Sequence, residues 1–240
     1  MADISKVTTD RLKISGTLIA AFDGQGGTIS TTLNASANAP PAGLAVSIMT
    51  WLRGAVEASG ANLREADLAH ALEGDDDEGP RLQRVASERE LRDAMLSGSD
   101  AVRGVYGRPF SKIVGLDTAL AGRADQLQHQ ADGIVRALTA NPPPAPIHEG
   151  ASVNLASVAA SIESKRAALQ SALDKVALEE RELQTTMSLR DQATARWTRT
   201  YSGVATILSG IAILAGLDDL ASKVKPTERR RAGIPEEGEG

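Results

Sequence analysis

The sequence predicts a mainly α-helical protein built on a long antiparallel helical hairpin or coiled coil, with shorter N-terminal helices and a small N-terminal β-hairpin. Three observations support this fold class. Apolar residues recur at heptad spacing from residue 162 onward, a proline-rich stretch at 141–146 separates two helical patterns, and residues 10–34 resemble short strands in composition. Aromatic residues make up only 2% of the chain, so Leu, Ile, Val and Ala must form its core.

The first 41 residues are predicted to form the β-hairpin and a linker. Residues 11–19 alternate roughly between polar and apolar, and residues 28–33 are rich in β-branched side chains. Between them, Asp23-Gly-Gln-Gly-Gly supplies turn residues. An isolated hairpin is marginally stable in water, so we expect it to pack on helices or to pair with another subunit. Residues 34–41, rich in Ala, Asn and Pro, are the predicted linker.

Residues 42–140 are predicted as a helical region. Apolar residues recur at intervals of four between residues 44 and 56, and at intervals of four and three between residues 116 and 138. Glycines at 104 and 107 and a proline at 109 weaken a continuous helix between these stretches. The acidic run at 75–78, followed by Gly79 and Pro80, is expected to be an exposed connection between two helices.

A proline-rich loop at 141–151 is predicted to precede a long helix at 152–225. Proline removes the amide donor and clashes with the preceding turn, so the helix must stop at the loop. Ser152 or Asn154 can cap the helix that follows, and Pro226 ends it. Residues 226–240 are charged and rich in Gly and Pro, and they are predicted to be a disordered tail.

The long helix carries a row of apolar residues at spacings of four and three, which is typical of a coiled-coil seam. We predict that this seam packs against another helix of the chain or of a second subunit. Arg190 interrupts it, which indicates a bundle end, a buried ion pair or a residue that sets the register. The seam consists of Ile162, Leu169, Leu173, Val176, Leu183, Met187, Trp197, Tyr201, Val204, Leu208 and Ile211.

The apolar end of the long helix, residues 202–217, has two interpretations. Gly203 and Gly210 are one heptad apart on one face, which predicts a close contact with another helix. Membrane insertion is the alternative, because Trp197 and Tyr201 precede the segment and basic residues follow it. Spanning a bilayer needs about 20 apolar residues. The segment is only 16 residues long, so a helix buried in a multi-helix or multi-subunit core is favoured.

No group of residues in the sequence indicates catalysis, a cofactor or a metal site. The glycine-rich stretch at 23–28 matches neither common phosphate-binding motif, and the acidic run lacks the ligand spacing of an EF-hand. His70, His129 and His148 are far apart and belong to no zinc-binding motif. The absence of cysteine excludes disulfides and cysteine-based zinc sites. We therefore predict a protein that is not an enzyme.

Net charge and helical pattern together favour self-association. The net charge of −5 argues against nucleic-acid binding. Residues 1–15 contain no apolar core of a signal peptide, which favours the cytoplasm or an assembled particle over secretion. We predict a structural or assembly protein that forms a homo-oligomer or binds partner helices. The alternative is a membrane-active helical protein, pore-forming or translocator-like, that inserts residues 202–217.

Overall fold

The structure is a computed structural model that describes residues 3–36, 39–76 and 78–234. It confirms the prediction of a mainly helical protein in which long helices pack together. The longest helix has 60 residues, which corresponds to about 90 Å at about 1.5 Å per residue. In chain order the helices are α1 (Lys6–Asn34), α2 (Leu44–Asp76), α3 (Glu78–Ile113), α4 (Ala124–Ala140), α5 (Leu155–Leu214), α6 (Asp218–Val224) and α7 (Glu228–Arg231).

The predicted N-terminal β-hairpin is wrong, because α1 occupies that stretch and the described part of the chain contains no strand. Ile14, Leu18, Phe22 and Ile29 are each at most 4% exposed and lie on one side of α1. Their spacing of four, four and seven residues is that of a helix face. Burial of this face outweighs the strand preference of the β-branched residues, since propensity is a weak local term.

Side-chain hydroxyls explain how α1 accommodates its Ser and Thr residues. Three of them, in Ser30, Thr31 and Thr32, donate to the backbone carbonyls four residues earlier at 2.8–3.0 Å. Because each hydroxyl is bonded to a carbonyl of the helix itself, it does not compete with the helix by bonding the backbone in another conformation. The same residues that suggested a strand are therefore compatible with a helix.

Replacing glycines in α1 tests experimentally whether this stretch is a helix or a hairpin. A Cβ added at Gly24 or Gly27 meets no atom within 4 Å. Alanine has a higher helix propensity than glycine. The double variant Gly24→Ala, Gly27→Ala should therefore raise the free energy of unfolding, measured by urea denaturation, by about 1–2 kcal/mol. Gly216→Ala is the control, because φ is 72° there, and it should lower that free energy by about 1 kcal/mol or more. Destabilisation by the α1 pair would contradict a helix at these positions.

The chain divides into two compact units. Unit 1 comprises residues 1–75 and 182–240, and unit 2 comprises residues 76–181. Helix α5 supplies residues to both units.

Unit 1 is built on α1, α2 and the second half of α5. Helices α1 and α2 are antiparallel, since Ser5 donates its amide to Asp67 at 2.6 Å while Arg53 pairs with Asp23 at 2.7 Å. Helix α5 lies against α2, where Thr186 is 3.2 Å from His70. The core of unit 1 contains Ile14, Leu18, Phe22, Ile29, Met49, Leu52, Val56, Leu63, Trp197, Tyr201, Val204, Ala205, Leu208, Ala215 and Val224.

Unit 2 is built on α3, α4 and the first half of α5. Helices α3 and α5 are antiparallel, because Lys165 pairs with Glu90 at 2.8 Å and the later Lys175 lies 3.2 Å from the earlier Gln83. Helix α3 kinks at Gly107, where φ is 82°. The core of unit 2 contains Leu91, Met95, Val102, Phe110, Val114, Leu116, Leu127, Ala131, Ile134, Leu138, Ala159, Ile162 and Leu169.

Several predicted boundaries can now be placed on the helices. The predicted linker at 34–41 begins at the last residue of α1, and its residues 37 and 38 lie outside the described residues. Residues 141–154, which include the proline-rich loop, contain no helix. Of the predicted disordered tail, residues 228–231 form α7, and residues 235–240 lie outside the described part of the chain.

Candidate interaction surface

The first half of the predicted seam lies in unit 2. Ile162 and Leu169 are fully buried in its core, and Leu173 packs against that core while half-buried. Val176 is half-buried. Ile162 and Leu169 are therefore covered by helices of the same chain, whereas Leu173 and Val176 are covered only in part.

The second half of the seam lies in unit 1. Leu183 is half-buried and Met187 is exposed. The remaining five residues, from Trp197 to Ile211, are buried in the core of the unit or packed against it. They are Trp197, Tyr201, Val204, Leu208 and Ile211.

Trp197 belongs to the unit 1 core. Its indole is fully buried, stacks on Tyr201 with 5.4 Å between ring centroids, and donates its Nε1 hydrogen to Ser15 Oγ at 2.8 Å. The guanidinium of Arg11 lies 5.7 Å from the indole centroid, within cation–π range. Burial of the guanidinium lowers the pKa of Arg11, while the nearby Asp67 carboxylate acts in the opposite direction.

Arg190, which interrupts the seam, is partly buried in unit 1. Its guanidinium lies 3.4 Å from the carboxylate of Asp191. Its positive charge is also close enough to Arg11 to lower the pKa of that residue further. Arg190 therefore stands in an electrostatic cluster with Arg11 rather than in the apolar core.

The surface of α5 that faces away from the unit 1 core is apolar and open. We call it the glycine face, and Leu214, at 77% exposure, is its most exposed large hydrophobic side chain. A Cβ added at Gly203 or Gly210 meets no atom within 4 Å, so space is open above both glycines. The predicted close contact at these glycines is thus not made by any described residue of the same chain. The glycine face consists of Gly203, Thr206, Ile207, Gly210, Ile213 and Leu214, all of which are exposed.

Opposite charges mark the two ends of the glycine face. Arg199 is exposed and lies one turn before Gly203. At the other end Gly216 takes a left-handed conformation, and Leu217 donates its amide to the carbonyl of Ala212 at 2.9 Å, which terminates α5. Asp218 and Asp219 then begin α6. The face is therefore an uncharged strip with a cation before it and two carboxylates after it.

The predicted heptad seam lies next to the glycine face on the same helix and does not coincide with it. It identified the side of α5 that is buried inside the chain, whereas the open surface is the adjacent row of glycines. The heptad spacing of Gly203 and Gly210 was the sequence signal for that row. None of the helices in the described residues combines the length and the apolar character needed to cross a membrane.

Comparison with models of protein families, with curated proteins and with solved structures found no match.

Proposed function

We propose that this chain is a non-enzymatic structural or assembly protein that associates with copies of itself through helix packing. The observation that carries the proposal is the glycine face of α5, where exposed apolar side chains alternate with open glycines. A contiguous exposed apolar surface on a helix is typical of a contact site. The occupant we propose is the same face of a second copy.

Shape complementarity favours an antiparallel arrangement of the two copies of α5. With a two-fold axis level with residues 208 and 209, residue 207 of one copy faces residue 210 of the other, and residue 203 faces residue 214. Ile207 then fills the space above Gly210, and Leu214 fills the space above Gly203. Glycines let helix backbones approach closely, and each buried apolar side chain contributes about 1 kcal/mol or more. A parallel pair would set glycine against glycine, and Ile207 and Leu214 would then face their own copies instead of the open glycines.

Charge complementarity favours the same arrangement. In the antiparallel pair, residue 199 of one copy lies towards the end of α5 of the other, after which Asp218 and Asp219 begin α6. Arg199 is then at the same end of the contact as these two carboxylates, and the two-fold axis repeats the arrangement. Facing charges of opposite sign guide association and disfavour the parallel orientation, in which like charges would meet.

A single substitution on the glycine face tests the proposal. Leu214→Glu places a charge in the contact, so we expect it to lower the assembly mass measured by light scattering, with no loss of helical circular dichroism. Val46→Glu is the matched control, because Val46 is an exposed apolar residue of α2 in the same unit, and it should leave the mass unchanged. Equal masses for the wild type and Leu214→Glu at every concentration would contradict self-association through this face.

A membrane-active role is the second candidate, since the same exposed apolar strip could lie at a lipid surface. Flotation with anionic liposomes separates the two functions. A wild-type chain that stays monomeric and floats with the liposomes, together with a Leu214→Glu variant that does not float, would favour the membrane-active protein. An assembled chain that does not float would favour the structural protein.

A further inference from the structure

Helix α3 carries a second exposed face that the glycine face does not involve. Its residues follow one another at spacings of four and three, so they share one side of the helix. The opposite side, with Leu91, Met95 and Val102, is buried in the core of unit 2. We call the exposed side the α3 face; it consists of Leu82, Ala86, Arg89, Asp93, Leu96, Asp100 and Arg103, all of which are exposed.

The α3 face combines apolar and charged side chains. Leu82 is 62% exposed and Leu96 is 53% exposed, and Val85, one turn after Leu82, is exposed as well. Arg89 and Asp93 lie between the two leucines, 3.9 Å apart, with side chains 85% and 66% exposed. An exposed pair of this kind contributes little to the stability of a monomer. Both charges are therefore available to a partner.

We propose that the α3 face is a two-fold contact in which it packs antiparallel against the α3 face of a second copy. The charges of the face are complementary to their own copies when the two-fold axis is level with residue 91. In that register residue 89 of one copy faces residue 93 of the other, so Arg89 meets Asp93 across the contact. The two-fold axis repeats the pair, which produces two ion pairs from four charges.

Leu96 fits the same register. Residue 96 of one copy is level with residue 86 of the other, so the large Leu96 packs over the small Ala86. Val85 is adjacent to Ala86, and Leu82 is one helical turn away, so Leu96 enters an apolar patch on the partner. A parallel pair would instead place Arg89 against Arg89 and Asp93 against Asp93, which electrostatic repulsion disfavours.

The ends of the contact are complementary as well. Residue 103 of one copy is level with residue 79 of the other, which brings Arg103 next to Glu78, the first residue of the partner's α3. Arg103 is thus close to the carboxylate of Glu78, whose attraction opposes the repulsion between the guanidinium and the positive end of the partner's helix dipole. The register therefore matches the central charges, Leu96 and the terminal Arg103, whereas Leu82 is level with Asp100 of the other copy.

This inference rests on the proposed function and extends it from one contact to two. One two-fold surface stops at a dimer, whereas two different two-fold surfaces on one chain link copies into a longer series. The glycine face belongs to unit 1 and the α3 face to unit 2. Wild-type protein with both contacts is expected to form assemblies larger than a dimer.

Charge reversal with complementation tests the α3 contact without depending on the glycine face. All variants carry Leu214→Glu, so that association through α3 alone is measured, and this background should be a dimer. Arg89→Glu places carboxylates against carboxylates, and Asp93→Arg places guanidinium groups against guanidinium groups. Each variant alone should fall to a monomer, an approximately twofold loss of mass in light scattering. An equimolar mixture should recover the dimer, because the carboxylate introduced in one variant then faces the guanidinium introduced in the other.

The outcomes distinguish failure of this inference from failure of the proposed function. A monomeric Leu214→Glu background, charge variants that remain dimers, or a mixture that stays monomeric would overturn the α3 contact. If only the α3 contact exists, the wild type and Leu214→Glu are both dimers, and Arg89→Glu in the wild-type chain is a monomer. If only the glycine face exists, the wild type and Arg89→Glu are both dimers and Leu214→Glu is a monomer. Circular dichroism of each variant confirms that the helices are retained.

Discussion

Replacing Trp197 with alanine is expected to lower the free energy of unfolding by about 3–5 kcal/mol. The indole is fully buried, stacks on Tyr201 and supports the guanidinium of Arg11. Alanine would leave a large cavity where α1, α2 and α5 meet, and it would remove the hydrogen bond to Ser15. Urea denaturation followed by far-ultraviolet circular dichroism measures the loss without relying on tryptophan fluorescence.

The chain provides a matched control in its other tryptophan. Trp51 is 66% exposed on α2 in the same unit. Trp51→Ala removes the same side chain without opening a cavity, so we expect a change of about 0.5 kcal/mol or less. Ser15→Ala isolates the hydrogen bond, since it leaves the buried indole N–H without its acceptor and should cost about 1–3 kcal/mol. If Trp197→Ala and Trp51→Ala had equal effects, the assignment of Trp197 to the core would be refuted.

Replacing Leu169 with alanine is expected to lower the free energy of unfolding by about 2–5 kcal/mol. Leu169 is fully buried in the core of unit 2, where α5 packs with α3 and α4. Removing three carbons from a close-packed core loses their transfer free energy and leaves a cavity that neighbouring side chains fill only partly. The same urea titration provides the measurement.

Leu178 supplies the comparison for Leu169 on the same helix and in the same unit. It is 48% exposed, and it lies outside the buried core of that unit. Leu178→Ala should therefore cost well under 1 kcal/mol, because half of the side chain is already in water and no closed cavity forms. Similar losses for the two variants would show that α5 is not buried along the side that contains Leu169.

The heptad pattern of α5 shows how much of the fold could be read from the chain. A spacing of four and three is a property of one helix, so the existence of a long helix and its apolar side follow from the sequence alone. Where each seam residue lies depends on other elements. Ile162 is covered by unit 2 and Trp197 by unit 1, while Met187 is exposed on the same row of the same helix.

The N-terminal stretch shows why a local pattern can mislead. Ile14 and Leu18 fit an alternation of two as well as a helical spacing of four, and the nearby threonines and glycines favoured a strand and a turn. Long-range contacts decide between the two, since Ile14, Leu18 and Phe22 are buried against α2 and α5. A single stretch of sequence does not contain the partner surface against which its residues pack.

For the two candidate contact surfaces as well, some features follow from the sequence and others only from the tertiary structure. The sequence by itself determined the helical class, the long apolar row of α5 and the spacing of Gly203 and Gly210, because periodicity and residue type belong to single helices. Only the tertiary structure decided which rows are open, since exposure depends on which helices cover each other. The glycine face and the α3 face became recognisable once Trp197 and Leu91 were seen to occupy the buried sides of their helices. The side of a helix that remains for a partner is set by the side that the chain uses for its own core.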